Sequence, residues 1–138
     1  MAVAAEGARF GVNGVNIGLF CSTPMVALSR NIGRKKTFEL LTTGGLLPAE
    51  DARELGLVNC VVAEEKLEDE TRALAATVAS KLASAVRVGK RAFYEQIEMT
   101  VDAAYAHTGR VIAENMMHPD TNEGIQAFIE KRPPDWPE

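Results

Sequence analysis

Two cysteines in 138 residues, Cys21 and Cys60, are too few to build a disulfide scaffold. Both stand in apolar runs (Leu19-Phe20-Cys21 and Asn59-Cys60-Val61-Val62), so both are expected to be buried thiols of a reducing compartment. Histidine is equally scarce. His107 and His118 are far from both cysteines in sequence, so no metal-ligand spacing exists and no metal site is expected. No apolar run approaches the ~20 residues that span a bilayer, so no membrane span is expected. Met1 to Glu6 lacks a charged n-region and a long apolar core, so no signal peptide is expected either. Positive charge is in deficit, with 15 basic against 19 acidic residues and a net charge of −4. That balance argues against nucleic acid as the main partner. A small anion needs only two or three local cations and is not excluded.

What is present is ordinary globular material. Hydrophobic residues make up 46% and charged residues 25%, enough for a core in a chain of single-domain size. Val3 to Ala5 and Arg9 to Val12 read as strand pieces, but neither has an evident pairing partner along the chain. Ser22-Thr23-Pro24 reads as a hydroxyl cap followed by proline at the first helical position, opening a helix to about Asn31. A second helix is expected from Arg34 to about Leu41, stopped by Thr43-Gly44-Gly45. A third is expected from Pro48 to Leu55, stopped by Gly56, with Leu57 to Val62 as a short strand. Leu67, Leu74, Val78 and Leu82 share one helical face, and Val88 to Ile97 forms another helix. Val101, Ala104, Tyr105, Thr108, Val111 and Ile112 make the clearest amphipathic stripe. Asp120 or Thr121 is expected to cap a last helix that carries Ile125, Phe128 and Ile129 and ends before Pro133-Pro134.

Chemistry is thin on the ground. His107 reads as a helix-surface or packed residue rather than a base, and His118, before Pro119, as loop. Neither Ser22 nor Ser29 stands in a nucleophile elbow. The Gly-rich Gly11 to Gly18 stretch lacks a P-loop lysine and Rossmann spacing, and reads first as strand and turn. Arg30, Arg34, Lys35 and Lys36 form one basic cluster; Arg87, Lys90 and Arg91 form a second. Each reads either as solvated helix surface or as a phosphate attractor.

Several segments, taken in order, resemble the second half of the enoyl-CoA hydratase/isomerase (crotonase) family. They are Ala8-Arg9-Phe10-Gly11 with Gly18-Leu19 and Pro24; Leu41-Thr42-Thr43-Gly44 with Pro48-Ala49-Glu50-Asp51-Ala52 and Leu55-Gly56-Leu57-Val58; and Glu123-Gly124-Ile125 with Ala127-Phe128-Ile129-Glu130-Lys131-Arg132. The run Gly18-Leu19-Phe20-Cys21-Ser22-Thr23-Pro24 further resembles the enoyl-CoA hydratase domain-containing subgroup. The resemblance covers essentially the whole chain. It implies an α/β fold, the C-terminal portion of a crotonase-like ββα spiral, mostly helical with a few short strands. Residues 1–62 would be a remnant of the spiral core. Residues 63–138 would be a helical region used for trimerisation and coenzyme A contacts.

The resemblance also implies what the chain does not hold. The family's N-terminal half supplies most of the spiral, both backbone donors of the oxyanion hole and one of two catalytic Glu residues. The second Glu aligns with Gly14, which can transfer no proton. No catalytic residue is therefore assigned, and Glu6 has no evident reason to enter the pocket. Phe128 would pack on the adenine of coenzyme A and Lys131 would meet a phosphate, the i, i+3 spacing placing both on one helical face. Read from the residues alone, Phe128 could equally pack with Ile125, and Lys131 could simply face solvent. Leu19 and Phe20 would line the acyl pocket, or belong to the core.

Three functional readings follow. The first is a truncated hydratase/isomerase-family protein whose parent binds acyl-CoA or enoyl-CoA, inactive by itself. The second is a non-catalytic CoA-binding or oligomer-assembly module. The third is a different thioester reaction, with the other half supplied in trans. No cofactor is expected, the coenzyme A thioester being the substrate. A homo-oligomer, trimeric or hexameric as in the family, is the expected assembly. The expected compartment is cytoplasmic, or mitochondrial for a eukaryotic parent.

Overall fold

The computed structural model describes residues 1–136, which are mostly helical with a few short strands. The chain divides into two compact units, Met1–Leu74 and Ala75 onward. The division falls inside a helix.

The first unit begins with β1 (Val3–Ala5) and β2 (Arg9–Gly11), followed by a 3₁₀ helix over Asn13–Ile17. Then come α1 (Ser22–Asn31), α2 (Arg34–Thr43), β3 (Leu46–Pro48), α3 (Ala49–Glu54) and β4 (Cys60–Val62). The two early strands are not orphans. β1 pairs in parallel with β4, Ala4 opposite Val61, and β2 pairs antiparallel with β3, Phe10 opposite Leu47. Both pairings join residues far apart in sequence, which is why neither was evident. Leu46–Pro48 had no strand signal because proline donates nothing to a ladder. A proline at the end of a strand in a two-stranded sheet is nonetheless tolerated.

Gly44 and Gly56 end α2 and the α3 turn in the left-handed conformation (φ 64° and 80°), as their positions in sequence indicated. The start of α1 differs from expectation. The helix begins at Ser22 itself, and Ser22 Oγ donates to Phe20 O at 3.3 Å instead of capping. Pro24 sits in the first turn, where its lack of an N–H costs nothing. Ala4, Ile32, Leu40, Leu47, Ala52 and Val58 close the core between the strands and the helices. The thiols are less buried than their apolar neighbours implied. Cys21 is half-buried and Cys60 is exposed, since β4 belongs to a two-stranded sheet with little to cover it.

A 3₁₀ turn over Glu64–Lys66 leads into α4 (Leu67–Ala79). The second unit adds α5 (Ala83–Ile97), α6 (Val101–Met116) and α7 (Pro119–Glu130). The expected Leu67-to-Leu82 face is interrupted. The chain leaves the helix after Ala79, and Leu82 takes an extended conformation that buries its side chain. Consequently α5 starts at Ala83, well before Val88. The cap of α7 is neither Asp120 nor Thr121. His118, expected as loop, holds that place: its Nδ1 accepts from the Asp120 N–H at 3.4 Å, with Pro119 in the first turn. Thr121 instead donates its hydroxyl to Asn115 O at 2.7 Å, tying α7 to the end of α6.

The stripe on α6 splits in two. Ala104, Thr108 and Val111 are half-buried, whereas Val101, Tyr105 and Ile112 are exposed. His107 is packed, its Nε2 3.1 Å from Glu95 Oε2 across the α5–α6 pair but outside hydrogen-bond geometry. No described helix is long and apolar enough to cross a membrane.

Candidate functional site

Two constellations carry the residues singled out in the sequence, one in each unit. The first is the turn from Gly11 to Cys21. The 3₁₀ helix is closed by Gly18, in the left-handed conformation, and by Leu19 N–H donating to Gly14 O at 3.0 Å. Asn16 Nδ2 donates to Gly44 O at 3.2 Å, pinning the turn to the end of α2. The Gly14 N–H donates to Cys21 Sγ at 3.3 Å.

Gly14 is therefore more than a position without a carboxylate. A Cβ built there would stand 2.7 Å from both Leu19 O and Cys21 Sγ, so the cradle is closed to a side chain. The atoms facing Gly14 are a carbonyl and a thiol. Neither is a carboxylate poised for general acid–base work. Leu19 and Phe20, on the loop beyond, are exposed rather than core.

The second constellation is the C-terminal end of α7 and the tail that follows it. Phe128 is 84% exposed, so it does not pack into a core with Ile125. Lys131 lies outside the helix: it caps α7 in the left-handed conformation at φ 55°. The i, i+3 argument for a shared helical face therefore does not carry Lys131. Its direction is set by the cap instead. A left-handed lysine where glycine is usual costs conformational energy, which makes the residue worth attention.

The tail then folds back along α7. Arg132 grips Glu123 with two hydrogen bonds, Nη1 at 2.6 Å and Nη2 at 3.0 Å, and donates from Nε to Glu130 at 2.6 Å. Asp135 N–H adds a bond to Glu123 Oε1 at 2.8 Å. These donors, Arg132 first and the Asp135 N–H second, hold the Glu123 carboxyl down at about 2. The Arg132 guanidinium is raised in turn by its two carboxylates. The chain's one tryptophan, Trp136, ends this strap. Its Nε1 donates to Ser80 O at 3.2 Å, and its ring lies where a Cβ on Gly124 would intrude, 2.9 Å away.

Trp136, Phe128, Ile125, Leu82 and Lys81 border a 440 Å³ groove, apolar on its walls and cationic at one edge. Such a groove suits a flat aromatic group carrying negative charge. The strap was not found by sequence reasoning. The Glu123-Gly124 pair and Arg132 were noted as a family motif, but nothing local says that Trp136 returns to them. Among the described residues no group of three potential metal ligands converges.

Comparison with known proteins places the chain in a family. The family model described as enoyl-CoA hydratase/isomerase matches residues 1–138. The chain is 45% identical over 136 residues to enoyl-CoA hydratase domain-containing protein 3, mitochondrial, of Danio rerio, and 42% identical to the protein of that name from Homo sapiens. Each alignment covers 99% of this chain but 47% and 45% of those proteins. The chain thus spans about half the length of the curated relatives it matches. A crystal structure of an enoyl-CoA hydratase from Mycobacterium smegmatis superposes with a TM-score of 0.95 at 54% identity, over 99% of this chain and 53% of that one. The human domain-containing protein 3 structure gives a TM-score of 0.93 at 42% identity, over 99% and 54%. On the full-length family match and these likenesses, the chain belongs to the enoyl-CoA hydratase/isomerase family.

Proposed function

We propose that this chain is the coenzyme A-contacting, subunit-assembling part of a crotonase-type protein and does not hydrate enoyl-CoA by itself. The observation that carries this reading is Phe128, 84% exposed at the rim of an apolar groove with Lys81 at its edge. An exposed ring there is costly for solubility unless something stacks on it. The adenine of coenzyme A offers a matching flat face, and Lys131, the residue that caps the same helix, offers a cation for phosphate. The acyl or enoyl thioester is then the substrate, with Leu19 and Phe20, exposed on the loop that follows the Gly14 turn, to meet its apolar part. No cofactor is invoked.

Hydration of an enoyl thioester develops negative charge on the thioester oxygen and needs proton transfer at the double bond. Losing one preorganised donor to such an oxyanion costs roughly 3 kcal/mol. At Gly14 a hydrogen stands where the family's carboxylate is expected, in a cradle that admits no side chain. Calorimetric titration with a CoA thioester, with hydratase turnover measured on the same sample, tests the reading. Binding without turnover is expected. Turnover would overturn it and demand another acid–base residue.

A second reading concerns assembly. Val101, Tyr105, Ile112 and Met116 form an exposed apolar stripe on α6. A stripe of that size belongs in an interface, and a homo-oligomer, trimeric or hexameric, would cover it. Sedimentation at micromolar concentration is expected to show association, and a monomer with cooperative unfolding would refute it. The relatives from Danio rerio and Homo sapiens are named as mitochondrial, and a mitochondrial parent is the corresponding reading for a eukaryotic source; a bacterial parent would be cytoplasmic.

A further inference from the structure

The last helix and the strap behind it form one body. Arg132 bridges Glu123 and Glu130, and the Asp135 N–H adds its bond to Glu123, so the tail cannot leave α7 without breaking this clasp. The ring of Trp136 seats on Gly124, where a Cβ would stand 2.9 Å from it.

The ties from this body to the rest of its unit sit at its two ends. At the near end, Thr121 donates its hydroxyl to Asn115 O at 2.7 Å. That hydroxyl has a single proton, so at its second contact, 3.3 Å away, Asn115 Nδ2 is the donor. This reciprocal pair fixes a pivot beside Met117 and His118, the two residues that link α6 to α7. At the far end, Trp136 Nε1 donates to Ser80 O at 3.2 Å, across 56 residues of sequence. Ser80 directly follows α4, where helix carbonyls lack partners of their own, so the bond satisfies both groups.

Apolar packing adds little. Of the apolar side chains of α7 only Ala127 is buried, while Ile125, Phe128 and Ile129 are exposed. The 440 Å³ groove, rather than a packed interface, lies where Ile125 and Phe128 face Leu82 and Ala85, and its lining includes the pivot residues Asn115 and Thr121. A segment with few buried apolar contacts and water-exposed polar ties is of the kind that opens locally, without global unfolding.

We propose that α7 and its strap are a hinged arm: it swings as one unit about Met117-His118, the Trp136–Ser80 bond is its latch, and a ligand in the groove holds it shut. The arm follows from the ties just described; only the identity of the ligand, coenzyme A, rests on the reading given under Proposed function. A ligand that binds the closed arm and not the open one favours closure by mass action.

Amide hydrogen exchange of the full chain, read residue by residue in NMR spectra, tests the arm. The α7 amides are expected to exchange through one common opening, faster than those in the middle of α5 and α6. Trp136→Phe keeps a ring and removes the donor. It is expected to speed the α7 amides by roughly two- to tenfold, the worth of one hydrogen bond, with α5 and α6 unchanged. Glu123→Gln, which loses the clasp, is expected to act in the same direction, and Phe128→Ala, which removes an exposed ring, to leave exchange unchanged. Coenzyme A is expected to slow the α7 amides and not those of α2. Exchange that rises equally in α5, α6 and α7 of Trp136→Phe would mean that the bond serves global stability alone, and would overturn the arm. So would α7 amides that Trp136→Phe does not move. Coenzyme A that binds without slowing α7 would refute the ligand's part in closure. Coenzyme A that does not bind would strike the coenzyme A reading instead, and exchange in the free protein would still decide the arm.

Discussion

Replacing Gly14 by alanine tests how firmly the turn at the family's carboxylate position is closed. The added Cβ would stand 2.7 Å from Leu19 O and 2.7 Å from Cys21 Sγ, where ordinary contact begins at 3.4 Å. Each neighbour must therefore give way by 0.7 Å, the difference of those two distances. The thiol can rotate aside. The carbonyl cannot move alone, because Leu19 follows a left-handed Gly18 and its own N–H closes the turn on Gly14 O at 3.0 Å. Forcing one methyl into such a contact costs ~1–3 kcal/mol. The lower entropy of the unfolded alanine chain returns roughly 0.4–1 kcal/mol. A net destabilisation of about 1–2 kcal/mol is expected on these two terms. Urea unfolding followed by circular dichroism measures it. The double variant Gly14→Ala/Cys21→Ala removes one of the two contacts, so it should recover part of the loss, a coupling of about 0.5–1 kcal/mol. Gly14→Glu should destabilise at least as much and yield no hydratase turnover. Stability of Gly14→Ala within ~0.5 kcal/mol of the parent, or no coupling with Cys21, would refute the closed cradle.

Three further outcomes follow from the same geometry. Glu123 has its folded carboxyl at about 2 against an ordinary 4.5, so its ion pair stabilises the folded strap fully above about 4.5 and loses that contribution as the pH falls toward 2. Trp136 emission should stay constant from neutral pH down to about 4.5 and shift red below it, and Arg132→Gln should shift it red even at neutral pH; emission insensitive to both would mean that the strap does not hold the ring. Lys131→Gly should relieve a left-handed cap, stabilising the chain by roughly 0.5–1 kcal/mol in thermal unfolding, while weakening coenzyme A binding; a variant that binds equally well removes Lys131 from the site. Leu47→Ala should cost about 2–5 kcal/mol in urea unfolding, since Leu47 is 3% exposed in the core of the first unit, and a loss below ~1 kcal/mol would show that this core is loosely packed.

Much of this molecule follows from local chemistry. Gly44 and Gly56 end their helices because a left-handed residue is needed there, and glycine supplies it without a Cβ penalty. The repeat of α6 follows from the 3.6-residue helical period, and the family motifs are contiguous strings that any fold would preserve. That Gly14 offers no acid–base group is a property of the residue itself. Other features depend on contacts between distant residues. β1 finds β4, and β2 finds β3, across intervals that no local pattern encodes. Periodicity marks α6 as apolar but cannot say that Ala104, Thr108 and Val111 are covered while Val101, Tyr105 and Ile112 are not. Helical spacing joined Phe128 to Lys131, yet the helix ends one residue too soon, because the Arg132–Glu123 clasp turns the chain back on itself. Thr37 looks like any helical threonine until packing buries its hydroxyl without a partner. Sequence determined most of the helices and the family; tertiary structure decided which strands pair, which faces are covered, which cradle is closed and which polar groups stand alone, since burial is a property of the whole packed chain.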